Sequence, residues 1–250
     1  MQPMRRLYHL TSQHRTVATD RMLGTLLAFN AGAINAGGFL IVGTYTSHMT
    51  GFASMVADNL VLGNLELVSG AIGALLAFTT GAASTALLVN WARQRRLHSE
   101  YALPLLIEAV LLLVFGLIGA TFNRQTPFAV PFTVLILAFI MGLQNALVTK
   151  ISSATIRTTH MTGVITDLGI ELGKLFYWNR TGVPHESQVR ANRVKLRLYS
   201  GLLSAFMLGG LVGAGGFKYV GFIWVVPLAS LLMLLSLPPL LADLRHFMRF

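Results

Sequence analysis

The chain alternates between long apolar runs and short polar ones. Apolar runs occupy about Met22–Gly43, Leu65–Trp91, Leu103–Phe122, Phe128–Thr149, Leu198–Phe217 and Phe222–Leu241, the last ending at Pro238-Pro239. Each is near or above the roughly 18 residues that cross a bilayer as a helix. None shows the strict polar/apolar alternation of a half-buried strand. The pattern predicts an all-α, polytopic membrane helix bundle of six transmembrane spans.

Two stretches between the runs do not fit an ordinary span, because they are too short and too polar. Thr46-Ser47-His48-Met49-Thr50-Gly51 returns as Thr158-Thr159-His160-Met161-Thr162-Gly163, with one hydroxyl exchanged for another. Upstream, Phe29, Gly32, Asn35 and Ala36 recur as Phe139, Gly142, Asn145 and Ala146. Weaker echoes pair Ser69-Gly70 and Ala74 with Ser200-Gly201 and Ala205, and Pro104-Leu105 with Pro227-Leu228. The chain therefore divides into a tail (1–21), a first half (22–122), a second half (123–241) and a short tail (242–250), one half being a degenerate copy of the other.

Composition supports a membrane class. The 250 residues are 54% hydrophobic and 11% charged, against about 25% charged in soluble domains, and mean hydropathy is +0.65. The net charge of +10 argues for loop orientation rather than nucleic acid, since Lys and Arg cluster at 1–21, 93–96, 150–197 and the C-terminal tail. The turns at 123–127 and 218–221 carry one cation each, Arg124 and Lys218. Six spans with both termini in the cytoplasm put every basic tract inside. A seventh full crossing at 44–64 would translocate Arg93, Arg95 and Arg96, so each motif segment is expected to be re-entrant or half-crossing. Span one then runs outward and its copy, span four, inward. This 3+3 inverted repeat with polar breaks at matching places is an architecture of secondary transporters. There is no cysteine, which excludes disulfides and thiolate metal sites. No cleavable signal peptide is evident.

The candidate chemistry follows from that layout. His48 and His160, with Thr50 and Thr162, are expected to line a shared polar cavity near the pseudo-two-fold axis. The threonines would cap helices starting at Gly51 and Gly163, whose N-terminal dipoles suit an anion or a carboxylate. The competing reading is that these residues only satisfy a buried turn. Asn35, Gln144 and Asn145 need partners inside the bundle. Glu108, one turn into span three, is a pathway candidate, or else snorkels to the interface. Asp58 and Asp167 are candidates to carry protons or cations, the alternatives being that they cap helix starts or face water; for Asp167 capping is favoured, from an expected place in the first turn after Gly163. Trp91, Trp178 and Trp224 are expected at the interfaces. Two histidines without a third clear ligand leave a zinc site underdetermined, and no nucleotide-binding motif is present. No cofactor and no enzymatic activity are expected. The expected partners are a small solute or ion and the lipid bilayer, with a homo-oligomer left open.

The Asn-Ala and Thr-His-Met-Thr-Gly elements of both halves, with Met141-Gly142-Leu143-Gln144-Asn145-Ala146, resemble the YoaK family of small bacterial inner-membrane proteins. The likeness covers roughly residues 22 to 241. It implies an inner-membrane location and a span count near six. The family's domain has no assigned function, so the resemblance implies no catalytic residues. Asn35 stands where related sequences often carry an Asp, a departure that speaks against a charged ion site there. The leading expectation is a secondary transporter or permease. A channel-like pore, and then a membrane cofactor or metal-binding protein, are the alternatives.

Overall fold

A computed structural model describes residues 11, 16–121, 129–152, 156, 158–180 and 184–247 of the chain. Its helices are α1 (Val17–Val42), α2 (Met49–Leu62), α3 (Leu65–Gln94), α4 (Ala102–Thr121), α5 (Ala129–Ile151), α6 (Met161–Phe176), α7 (Arg193–Tyr219) and α8 (Val225–Phe247). Short 3-10 turns lie at His185–Ser187 and Gly221–Trp224. Among the described residues, six helices are long and apolar enough to cross a membrane: α1, α3, α4, α5, α7 and the Gly221–Arg245 segment that contains α8. The turn expected at 123–127 lies outside the described residues, as does most of the N-terminal tail.

Several helices run past the ends of their apolar runs, because capping rather than hydropathy decides where a helix stops. Thr16 and Thr19 form a reciprocal capping box that starts α1 at Val17, so the helix continues back through Arg21. The Asn192 side chain accepts from the amides of Val194 and Lys195 and starts α7 at Arg193. At the other end of the chain, α8 does not stop at Pro238-Pro239 but continues to Phe247. Proline 239 has no N–H for the carbonyl of Leu235. The Thr11 hydroxyl donates to that carbonyl at 2.8 Å instead. Thr11, in the stretch expected to be a cytoplasmic tail, is fully buried.

The largest helix interfaces are α1 with α7, α3 with α5, and α4 with α8. The first two are built alike. A Cβ on Gly32 of α1 would meet the backbone carbonyl of Phe206, and one on Gly209 of α7 that of Phe29. In the other interface, Gly142 of α5 faces the carbonyl of Phe78, and Gly81 of α3 that of Phe139. Close backbone approach through glycine substitutes for a hydrophobic drive that lipid does not supply. Both interfaces are parallel: Phe29, Ala33 and Gly37 meet Gly209, Gly213 and Phe217 in register, and Gly73 and Thr85 meet Leu135 and Leu143. By contrast α1 and α5 run antiparallel, with Leu27 beside Gln144 and Gly38 beside Leu137. These contacts match Phe78 to Phe206 and Gly81 to Gly209. The register therefore differs by three residues from the one suggested by Ser69-Gly70 and Ser200-Gly201, because packing follows the glycine faces.

One end of the bundle gathers the start of α4 and the ends of α3, α5 and α8. Asp243 of α8 is buried there and accepts from the amides of His98 and Ser99 at 3.1 and 2.9 Å. Arg93 pairs with Glu100 at 3.2 Å and donates to the Tyr101 hydroxyl. Lys150 at the end of α5 reaches Asn90 on α3. Trp91 and Trp178 are exposed. Trp224, in the turn between α7 and α8, is partly buried and packs over Gly216, where a Cβ would strike its ring.

Candidate functional site

The two short helices are built on the repeated words. With 14 residues in α2 and 16 in α6, neither reaches the roughly 20 residues of a full span. Phe52, Met49, Met55 and Val56 of α2 pack onto Ala71, Ala74, Leu75 and Phe78 of α3. On the other side α6 packs along α7.

The helices begin at Met49 and Met161, two residues earlier than expected, and their caps are His48 and His160, not Thr50 and Thr162. Neither histidine makes a side-chain capping bond. Each imidazole instead folds over its own first turn, above Gly51 or Gly163, where a Cβ would collide with the ring. This explains the His-x-x-Gly spacing: residues three apart share a helix face, and only glycine leaves room.

Both helix starts open onto one cavity of about 680 Å³. Its lining pairs Asn35 with Asn145, Ser47 with Thr159, His48 with His160, Met49 with Met161, Thr50 with Thr162, and Phe78 with Phe206, and adds Tyr45. Asn35 accepts from the Ser47 amide and hydroxyl at 3.4 and 2.9 Å. Asn145 Oδ1 has no partner among the described residues. Thr46 and Thr158, two residues before the histidines, are fully buried with unpartnered hydroxyls. Tyr45, Phe78 and Phe206 were not singled out from the sequence. The recurrence of Phe78 with Gly81 as Phe206 with Gly209 is the signal that could have found the phenylalanines.

The remaining candidates lie elsewhere. Gln144 is fully buried and donates to the carbonyl of Leu27 at 3.1 Å, away from the cavity lining. Glu108 is also fully buried, so it does not snorkel, and Asn30 Nδ2 lies 3.5 Å from its Oε1. Asp58 is exposed on α2. Asp167 is not in the first turn of α6; it sits two turns in, exposed, against the Tyr199 hydroxyl. At the far end of α6, the Asn192 amide and the Lys174 ammonium hold the Glu171 carboxyl below the usual carboxylate range. Among the described residues no group of three His, Asp or Glu side chains could hold a metal ion.

Six helices long and apolar enough to span a bilayer define a multi-pass membrane protein, and the cavity lies among four of them and the two short helices. The chain belongs to the family described as "Protein of unknown function (DUF1275)", whose model matches residues 23–237. It is similar to the UPF0700 transmembrane protein YoaK of Bacillus subtilis (strain 168), with 28% identity over 157 residues, covering 61% of this chain and 68% of that one. No solved structure matches the chain.

Proposed function

We propose that the protein is a secondary transporter or permease for a small solute, which binds in the cavity between two halves related by inversion. The lining is the observation that carries this reading: six matched pairs of residues, one from each half, converge on a single space. At about 680 Å³ it falls within the roughly 300–1,000 Å³ of small-molecule sites. The exchanged glycine contacts of α1–α7 and α3–α5, and the antiparallel course of α1 and α5, support the inversion. Half-helices ending at a central site are a recurrent transporter device.

The lining also suggests a solute class. It holds two imidazoles, four hydroxyls besides Tyr45, two amides and the N-termini of two helices, and no carboxylate. Helix N-termini favour negative charge, so a small carboxylate or another anionic group fits better than a cation. The protein acts by binding and passage and is not an enzyme on this reading. The basic residues at one end (Arg93, Arg95, Arg96, Lys150, Arg193, Lys195, Arg197) support a cytoplasmic-membrane protein with that end, and both termini, inside.

A thermal-shift screen of small carboxylates in detergent tests the site, because a ligand that binds the folded state raises its stability by mass action. Wild type responds to at least one compound, and the double variant His48→Ala, His160→Ala does not. An equal response in both would remove the histidine site. Orientation is tested by single cysteines in this cysteine-free chain. Tyr219→Cys reacts with an impermeant thiol reagent in intact cells and Ser187→Cys does not; the reverse pattern would overturn the topology.

A further inference from the structure

A second polar group lies in the bundle outside the cavity lining. Asn30 on α1, Glu108 on α4 and Gln144 on α5 all have 0% exposure. Asn30 Nδ2 is 3.5 Å from Glu108 Oε1, and Gln144 Nε2 donates to Leu27, one turn before Asn30 on the same helix. Three oxygens, Asn30 Oδ1, Glu108 Oε2 and Gln144 Oε1, have no partner among the described residues. The described ion pairs are Arg93–Glu100, His98–Asp243 and Lys174–Glu171, so none brings a cation to Glu108. The titratable residues on the surrounding helices sit near the helix ends: Asp20 and Arg21 on α1, Glu66 and Arg93 on α3, Lys150 on α5, Asp243, Arg245 and His246 on α8.

An ionised carboxylate in this place would be a buried charge facing only an amide, an arrangement strongly disfavoured by desolvation. The stranded Asn30 Oδ1 would add the penalty of a buried acceptor without a donor. One proton removes both penalties. With a hydrogen on Oε2, Glu108 donates to Asn30 Oδ1 while Asn30 Nδ2 donates to Glu108 Oε1. Each group then gives one hydrogen bond and takes one. A metal cation is a poorer occupant, since hard cations gather about six oxygens and three are free here.

We propose that Glu108 and Asn30 form a proton-binding site within the membrane, holding an exchangeable proton in a closed acid–amide pair. Gln144, beside it, is the chain neighbour of Asn145, which lines the cavity. The use of this proton in driving solute movement rests on the transport reading above; its existence does not, and the test avoids transport altogether.

The probe is the proton itself, read by infrared spectroscopy of the protein in lipid bilayers at neutral pH. Wild type shows a carboxylic-acid C=O band that moves in heavy water and is lost in Glu108→Gln. Asn30→Leu keeps the band but shifts it, because the acid loses its amide partner. Gln at 108 retains both bonds of the pair, so Glu108→Gln melts with wild type and Glu108→Ala melts lower. A wild-type spectrum without the band would overturn the proposal. So would a band unmoved by Asn30→Leu, or a Glu108→Gln protein that fails to fold. Failure of the carboxylate screen alongside a positive band would remove the solute site and leave the proton site standing.

Discussion

The two copies of the motif are nearly the same word, yet they are held in place differently. The first is fastened at its tip, where Asn35 takes both the amide and the hydroxyl of Ser47. The second has Thr159 in that place, and its Asn145 Oδ1 is unpartnered. At the base of the short helices the likeness returns with different chemistry. Asn59 of α2 accepts from the side chain of Asn64, just before α3, at 3.2 Å. Glu171 of α6 accepts from the amide of Asn192, just before α7, at 2.7 Å, and from Lys174 at 2.9 Å. One base is neutral and the other is charged. The residues that face the cavity are matched, whereas the bonds that support them have diverged.

Three measurements break or sharpen that contrast. The largest effect belongs to what the halves share. Gly32→Leu and Gly142→Leu would each drive a side chain into a facing backbone carbonyl. Overpacking costs about 1–3 kcal/mol and more where backbone must move. Both variants are expected to lose the monodisperse folded species in detergent, and to equal extents. A large difference between them would mean that the two interfaces are not equivalent.

A smaller effect separates the tips. Asn35→Leu strands the two donors of Ser47, for a loss of about 1–3 kcal/mol, read as a lower melting temperature. Asn145→Leu removes no bond from its Oδ1 and should melt close to wild type. Equal losses would erase the distinction drawn here.

The smallest effect separates the bases, and it depends on acid. The Glu171 carboxyl is held below its usual range in the folded protein. Its contribution to stability is therefore complete above its unfolded value of about 4.3, and is lost as pH falls through the lower folded value. Hydrogen exchange in 161–176 should quicken below about pH 4, while 49–62, based on neutral Asn59, shows no matching step. In Glu171→Gln the faster exchange should be present already at neutral pH.

Much of the architecture was legible because hydropathy and charge are local properties. The span number, the short length of α2 and α6, and the recurrence of the histidine word all follow from neighbours along the chain. Helix ends were less legible. The Thr16–Thr19 box and the Asn192 cap extend α1 and α7 through residues whose polarity suggested loops, and Thr11 relieves Pro239 from far away in sequence. Within the motif, the threonines look like the caps by residue type, but the histidines hold that position because the ring needs the glycine three residues on.

By itself, then, the sequence determined a six-span helical membrane protein with one polar word written twice, since those facts rest on composition and spacing. Only the tertiary structure decided which polar groups meet. It brought His48 and His160 to one cavity, left Asp58 and Asp167 outside it, and enclosed Glu108 with Asn30. The reason is physical: partners such as Asn30 and Glu108, 78 residues apart, are chosen by how glycine-lined helices approach one another. That approach is a property of facing surfaces, which no single helix encodes.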